Sequence, residues 1–342
     1  MKRKMMKKYG KIKLFVITFF IITGFVFPRG LLAAPYYEGK IITIIVGFGP
    51  GGGNDRMARL LAKHLPKHIP GKPTIIVENM PGASGMIAAN HFYSIAKPNG
   101  LTIGAMNKAL PFAQLLKLEA AKFDLRKFAW VGSTATEPTV LAIRSDLPYK
   151  TFDDLLKAKS PIIIGDTGPI ETSYQFINLL KDYLGLNVKI VIYPSSAEVI
   201  LGIESKEVEG RAGSYSSIKP YTASGLVRPL IRGRASEPEI ENLPVAENLT
   251  TDPKGKIFMA LLSGPDRVGR PYVAPPGTPT EVMNILRDAF ARVAKDPELQ
   301  EDAKKVKMRV EYLPADECLK TISYVLDQPV DIIKEFNKYI KF

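Results

Sequence analysis

The sequence predicts an α/β protein made of two lobes. Residues 41–105 read strand, helix, strand, helix, strand, the order of a parallel sheet with crossover helices. A similar unit starts again near residue 138. The length of 342 residues accommodates about two domains at roughly 100–200 residues each. A hydrophobic share of 46% with 24% charged residues is ordinary for a globular chain and excludes disorder, collagen and a polytopic membrane protein.

Residues 1–34 stand apart. They carry Lys2, Arg3, Lys4, Lys7, Lys8, Lys11, Lys13 and Arg29 and no acid. The apolar run Leu14–Phe27 spans 14 residues, about 21 Å as a helix, short of a hydrocarbon core of roughly 30 Å. Pro28-Arg29-Gly30 ends it, and Leu32-Ala33-Ala34 offers small residues for cleavage after Ala33 or Ala34. This is the layout of a secretory signal peptide, with an uncleaved anchor as the alternative. Either places the body outside the cytoplasm. Without the leader, the net charge falls from +13 to +5, so the basic balance gives no reason to expect a nucleic-acid groove.

Within the body, IITIIV (41–46) is β-branched throughout and reads as a buried strand. The loop GFGPGGGN (47–54) leads into a helix from Asp55 to Ile69, stopped by Pro70-Gly71-Lys72-Pro73. TIIVE (74–78) is the second strand, NMPGAS (79–84) a loop, and Gly85–Ala96 a helix ending at Pro98-Asn99-Gly100. LTIGA (101–105) is the third strand. The second unit has strands at 138–144, 161–165, 187–193 and 226–232. Its helices begin at the capping box Thr151-x-x-Asp154, run to a C-cap at Gly185, and cover 196–204. A strand-like 270–275 and helices over 279–295 and 314–340 follow, the last kinked or split at Pro329. The chain crosses between lobes near 138–144 and 258–275.

The glycine-rich loop joins a buried strand to a helix. Gly51, Gly52 and Gly53 allow positive φ and close approach of a ligand to the backbone. The helix behind them offers unpaired N–H groups and a positive dipole end, which suits phosphate or carboxylate. Gly47-x-Gly49-x-x-Gly52 also satisfies the dinucleotide fingerprint, with Glu78 where a ribose-binding acid would stand. An NAD-dependent oxidoreductase is therefore the rival reading. Pro50, Asp55 and the export leader speak against it. A nucleotide-triphosphate loop fails because no Gly-Lys-Ser/Thr follows. Pro81-Gly82-Ala83-Ser84-Gly85 repeats the device at the same sheet edge, with Ser84 as a simple N-cap the alternative.

Catalytic constellations are poor. His64 and His68 stand four apart on one helix, but Leu65 follows His64 where a zincin has Glu, and no third ligand is evident. No Gly-x-Ser-x-Gly elbow occurs. The only cysteine, Cys318, excludes an intrachain disulfide and a Cys-rich metal site and reads as a buried thiol. Phe92, Tyr93 and Trp130 read as core.

The combination of F-x-PGGG-x-D, VEN-x-PGASG and the Pro-Asn-Gly turn before LTIG resembles the tripartite tricarboxylate transporter substrate-binding proteins, the Bug family of extracytoplasmic solute receptors. The likeness continues through 146–158, 192–210 and 272–290, covering about residues 38–340. It implies a type II periplasmic-binding-protein fold, with residues 35–138 and 258–342 in one lobe and 139–257 in the other. It implies capture of a small organic carboxylate and delivery to integral-membrane transporter subunits. No catalysis, cofactor, metal or nucleic acid is expected, and a monomer is. Carried over residue by residue, the site comprises Phe48, Gly51, Gly52, Gly53 and Asp55, then Gly82, Ala83, Ser84 and Gly85. Asn107 follows the third strand. Asp166, Thr167 and Gly168, with Ser214 and Tyr215, stand in the other lobe. The sequence departs from the family pattern at Gly47, Met106-Asn107-Lys108, Asp166, Glu171, Glu207-Val208-Glu209 with Arg211, and Arg270. Lys108, Arg144 and Arg211 could add charge to the site or lie on the surface.

Overall fold

The computed structural model describes residues 34–169 and 171–339. The expected leader through residue 33 and the expected end of the last helix at 340 lie outside them. Two sheets form the body. The first holds β1 (Ile41–Val46), β2 (Thr74–Asn79), β3 (Thr102–Ala105), β4 (Ala129–Ser133), β10 (Pro271–Ala274) and β11 (Leu313–Pro314), ordered β11-β4-β10-β3-β1-β2. The second holds β5 (Thr139–Arg144), β6 (Ile162–Asp166), β7 (Val188–Ile192), β8 (Gly210–Ser214) and β9 (Val227–Arg232), ordered β7-β6-β8-β5-β9.

β1 pairs in parallel with β2 and β3, as the alternation of strand and helix predicts. In the second sheet β6 pairs in parallel with β7 and β8. Next to a crossing each sheet takes in an antiparallel strand, β10 between β3 and β4 and β5 between β8 and β9, and the short edge strand β11 also runs antiparallel to β4.

The helices are α1 (Gly53–His64), α2 (Met86–Ser94), α3 (Leu110–Leu115), α4 (Phe152–Leu156), α5 (Thr172–Leu184), α6 (Ser196–Glu204) and α7 (Tyr215–Ala223). Then come α8 (Ala246–Leu249), α9 (Pro253–Ser263), α10 (Thr280–Val293), α11 (Pro297–Lys305), α12 (Ala315–Leu326) and α13 (Val330–Phe336). Both faces of both sheets are covered. One face of the first sheet buries Ile42, Ile44 and Val46 against Met57 and Leu61 of α1 and Leu286 and Phe290 of α10. Its other face packs Ile45, Phe92 and Trp130 with Cys318 and Ile322 of α12. Phe92, Trp130 and Cys318 are thus core, as expected.

The local signals account for most element ends. Thr151 and Asp154 close the capping box on α4, and Gly185 ends α5 in the left-handed region at φ 73°. Pro329 separates α12 from α13. The helix expected over 55–69 is instead α1 followed by a 3₁₀ turn, Leu65–His68, because Pro66 cannot donate an amide to an α-helical turn.

The expected lobe boundary at 258 falls inside α9. Phe258, Met259, Leu261 and Leu262 pack with Phe176, Leu179 and Leu180 of α5 and with Leu141 and Ile143 of the second sheet. The chain returns to the first sheet only after α9, through the 3₁₀ turn Pro265–Val268 into β10. Among the described residues no helix is long and apolar enough to cross a membrane.

Candidate functional site

A cavity of about 140 Å³ lies where loops of both sheets meet. Phe48, Asn54, Asn107 and Lys108 line it from the first sheet, and Thr167, Glu171, Thr172, Ser173, Ser196, Arg211, Gly213 and Ser214 from the second. Glu137, Gly269 and Arg270 come from the two crossings. Four helices of nine residues or more begin at this wall: α1 beside Asn54, α5 at Thr172, α6 at Ser196 and α7 after Ser214. Their unpaired amides and positive dipole ends favour an anion.

The first glycine loop is pinned from behind. Asp55 is 2% exposed and accepts the Gly51 amide at 2.8 Å and the Asn79 side-chain amide at 3.0 Å. Asn79 also donates to the Phe48 carbonyl at 2.9 Å, and Arg59 pairs with Asp55 at 3.0 Å. Asp55 therefore shapes the loop and lies outside the cavity wall. Of the three glycines only Gly51 has positive φ, +83°. Gly52 is the N-cap at φ −71°, and its freedom is not used. Gly53 is needed for room: a Cβ there would come within 2.6 Å of the Arg270 guanidinium.

The second loop contributes differently from the expectation. Ser84 does not cap α2. It sits at φ 50° within the 3₁₀ turn Ala83–Gly85, and Gly85 is the N-cap. Asn107 holds this loop in place, donating to the Ser84 carbonyl at 3.0 Å and accepting the Ala109 amide at 2.9 Å. Gly82, Ala83, Ser84 and Gly85 all stay outside the lining, though the Ser84 hydroxyl interacts with the carboxylate of Glu171, which does line it.

On the second sheet, Asp166 ends β6 and is 3% exposed; its Oδ1 accepts the Gly168 amide at 3.0 Å. Burial pushes the Asp166 carboxyl up to about 6, against its hydrogen bonds and Arg211. Burial, with Asp166 nearby, pushes Glu171 up to about 7. Thr167 and Ser214 line the cavity, but Gly168 does not, and the Tyr215 ring is core with Ile218 and Ile240.

The crossings carry a buried polar network. Arg270 reaches Glu137 at 2.6 Å, Ser216 at 3.0 Å and Asn54 at 3.2 Å. Ser216 donates to the second Glu137 oxygen at 2.5 Å. Lys108 meets Asp266 at 2.5 Å and the Glu137 carbonyl at 2.8 Å. Lys108 is thus ion-paired with its side chain 9% exposed and Arg211 is buried, while Arg144 pairs with Asp146 at 2.9 Å away from the cavity. The sequence signalled Glu171 and Arg270 only as departures from a family pattern, and Arg211 also as a possible charge at the site. Asn54, Glu137, Thr172, Ser173 and Ser196 carried no signal of their own.

The dinucleotide reading finds no support here. Glu78 does not line the cavity, and a Cβ on Gly47 would come within 3.4 Å of Ala88 and Gly85, so this glycine gives room for loop-to-helix packing. His64 and His68 contact different carboxylates, Asp302 at 3.0 Å and Asp296 at 2.7 Å, joining α1 and the turn after it to α11. Among the described residues no group of three His, Cys, Asp or Glu is placed to hold a metal ion.

Comparison with known proteins agrees with this geometry. The family model for the tripartite tricarboxylate transporter family receptor matches residues 57–338. A UPF0065 protein of Bordetella pertussis is 28% identical over 275 residues, 77% of this chain and 79% of its own. Protein BugT of the same organism is 25% identical over 284 residues, 79% of this chain and 81% of its own. The periplasmic binding protein BugD superposes with a TM-score of 0.70 at 21% identity, covering 89% of this chain and 98% of BugD. A Rhodopseudomonas palustris protein solved with adipate gives 0.71 at 20% identity, covering 88% and 98%. These neighbours share the two-lobed fold of periplasmic binding proteins. With its family model spanning most of the body and the same fold around a cleft of helix N-termini, this chain belongs to the tripartite tricarboxylate transporter receptor family, the Bug-type solute-binding receptors.

Proposed function

We propose that the chain captures a small organic acid in the cavity between its two sheets and delivers it to integral-membrane transporter subunits. The carrying observation is the cavity wall: four helix N-termini and a buried guanidinium converge on one small polar space. A transport receptor needs reversible capture, and the amides, hydroxyls and guanidinium of this wall are donors suited to it. Relatives of similar fold solved with malate and with adipate support the carboxylate reading.

Residues 1–34 serve as the export leader, and the mature chain acts outside the cytoplasm as a monomer. The lobes are residues 35–138 with the chain after α9, and 139 to the end of α9. They close by hinge motion at the two crossings, where Glu137 and Arg270 stand. Phe48, Asn107, Thr167 and Ser214 are the predicted site residues placed to touch the ligand. Asp55, Gly51 and Gly85 act by shaping the loops.

A thermal-shift panel of mono-, di- and tricarboxylates, amino acids, neutral sugars and NAD tests the reading. A ligand at 100 times its Kd stabilises by about 2.7 kcal/mol, a rise of roughly 5–10 °C. Acids are expected to give that rise. A panel in which only sugars or NAD respond contradicts the proposal.

A further inference from the structure

We propose that Arg211 and Glu171 read opposite charges on one ligand, so that the cavity takes a zwitterionic amino acid in preference to the corresponding plain acid. This rests on the organic-acid reading above and narrows it. Five charged side chains line the cavity: Lys108, Arg211, Arg270, Glu137 and Glu171. Three are already committed. Lys108 is paired with Asp266 at 2.5 Å, and Arg270 with Glu137 at 2.6 Å. The other Glu137 oxygen accepts the Ser216 hydroxyl.

Arg211 and Glu171 remain. Arg211 is 7% exposed, and no carboxylate of the described residues lies within ion-pair distance. Its guanidinium donates only at long range, to Ala212 O at 3.3 Å and to the Ser196 carbonyl and hydroxyl at 3.5 Å. Asp166 acts on it from farther away. Glu171 likewise has no lysine or arginine of the described residues within ion-pair distance; the Ser84 hydroxyl interacts with it.

A buried charge without a counter-ion is costly, and a ligand that supplies the counter-ion recovers that cost on binding. A carboxylate on Arg211 satisfies the first. A second carboxylate would face Glu171 while the other cations are held in pairs, which is like-charge repulsion. An ammonium group instead gives Glu171 its partner. An amino acid thus leaves every charge in the cavity matched, and a dicarboxylate does not.

Titration calorimetry on the full body of the chain, residues 35–342, tests this with matched pairs: aspartate against succinate, glutamate against glutarate, alanine against propionate. The amino member of at least one pair is expected to bind about tenfold tighter or better than its deaminated partner. Glu171→Gln should bring that pair within about threefold while leaving the acid bound. Arg211→Met should weaken both members at least about thirtyfold, as loss of a buried charge partner does. The Glu171→Gln readout is a ratio within one variant, so it stands even if Arg211→Met fails to fold. Equal or tighter binding of the deaminated member in every pair, or a preference that survives Glu171→Gln, would overturn the inference and leave the organic-acid reading standing. Binding of no acid in any pair would overturn both.

Discussion

Asp266 ties three connecting segments at one point, and its removal should be the most damaging single change near the cleft. The carboxyl is 1% exposed. One oxygen accepts Lys108 at 2.5 Å and the Thr139 hydroxyl at 3.0 Å; the other accepts the Thr139 amide at 3.0 Å. Lys108 follows β3, Thr139 opens β5, and Asp266 lies in the turn before β10. Asp266→Asn keeps the shape but leaves a buried ammonium without its carboxylate. Breaking a buried pair from one side costs about 3–5 kcal/mol. At roughly 2–4 °C per kcal/mol for a chain of this size, the melting temperature should fall by about 6–20 °C. Adding Lys108→Met removes the stranded charge and should recover part of the loss. Calorimetric or circular-dichroism melts of the three variants measure this. A fall below about 2 °C for Asp266→Asn, or a double variant no better than the single, would refute the reasoning.

Other observations carry expectations of their own. Gly53→Ala drives a Cβ into the Arg270 guanidinium and should cost about 1–3 kcal/mol in urea denaturation, whereas Gly49→Ala, with open space and no positive φ, should change little. Glu171 is held near 7 by burial and Asp166, opposed by Ser84 and Lys108, so amino-acid affinity should rise as pH goes from 6 to 8. A flat calorimetric profile there contradicts an ionised Glu171 partner. The same raised pKa means that ligand-free Glu171 is destabilising when ionised. Its contribution favours the fold below its ordinary range and is lost as pH rises through 7, so Glu171→Gln should raise the melting temperature at pH 8 and not at pH 5. Cys318 is buried, and burial pushes its thiol up to about 12, so maleimide should label the unfolded chain only.

The strands rich in β-branched residues were legible in the sequence because each is apolar along its length, as in IITIIV and PTVLAIR. β8 was not: GRAGS carries small residues and a charge, and its place between β6 and β5 comes from the sheet around it. α9 and α11 did carry a readable start. Asp252-Pro253 and Asp296-Pro297 each place Asp at the N-cap and Pro at the first turn, and both caps form. α7 was hidden by Pro220 within it. For the site, loop composition located the cleft but misjudged which side chains face it. Asp55 looked like a ligand contact and holds its own loop; Arg270 looked like a departure and reaches across to Glu137. Arg270 and Glu137 stand more than a hundred positions apart, and local pattern does not encode contacts of that range.

The central claim is that an organic acid binds between the two sheets at the wall of helix N-termini. The most direct test is a crystal structure of the body, residues 35–342, grown with the acid that stabilises it most in the thermal-shift panel. The account predicts the acid's carboxylate on Arg211, with Asn107 and Ser214 in the same enclosure. Ligand found outside this cavity, or inside it with its carboxylate turned away from Arg211 and from every helix N-terminus, would contradict it.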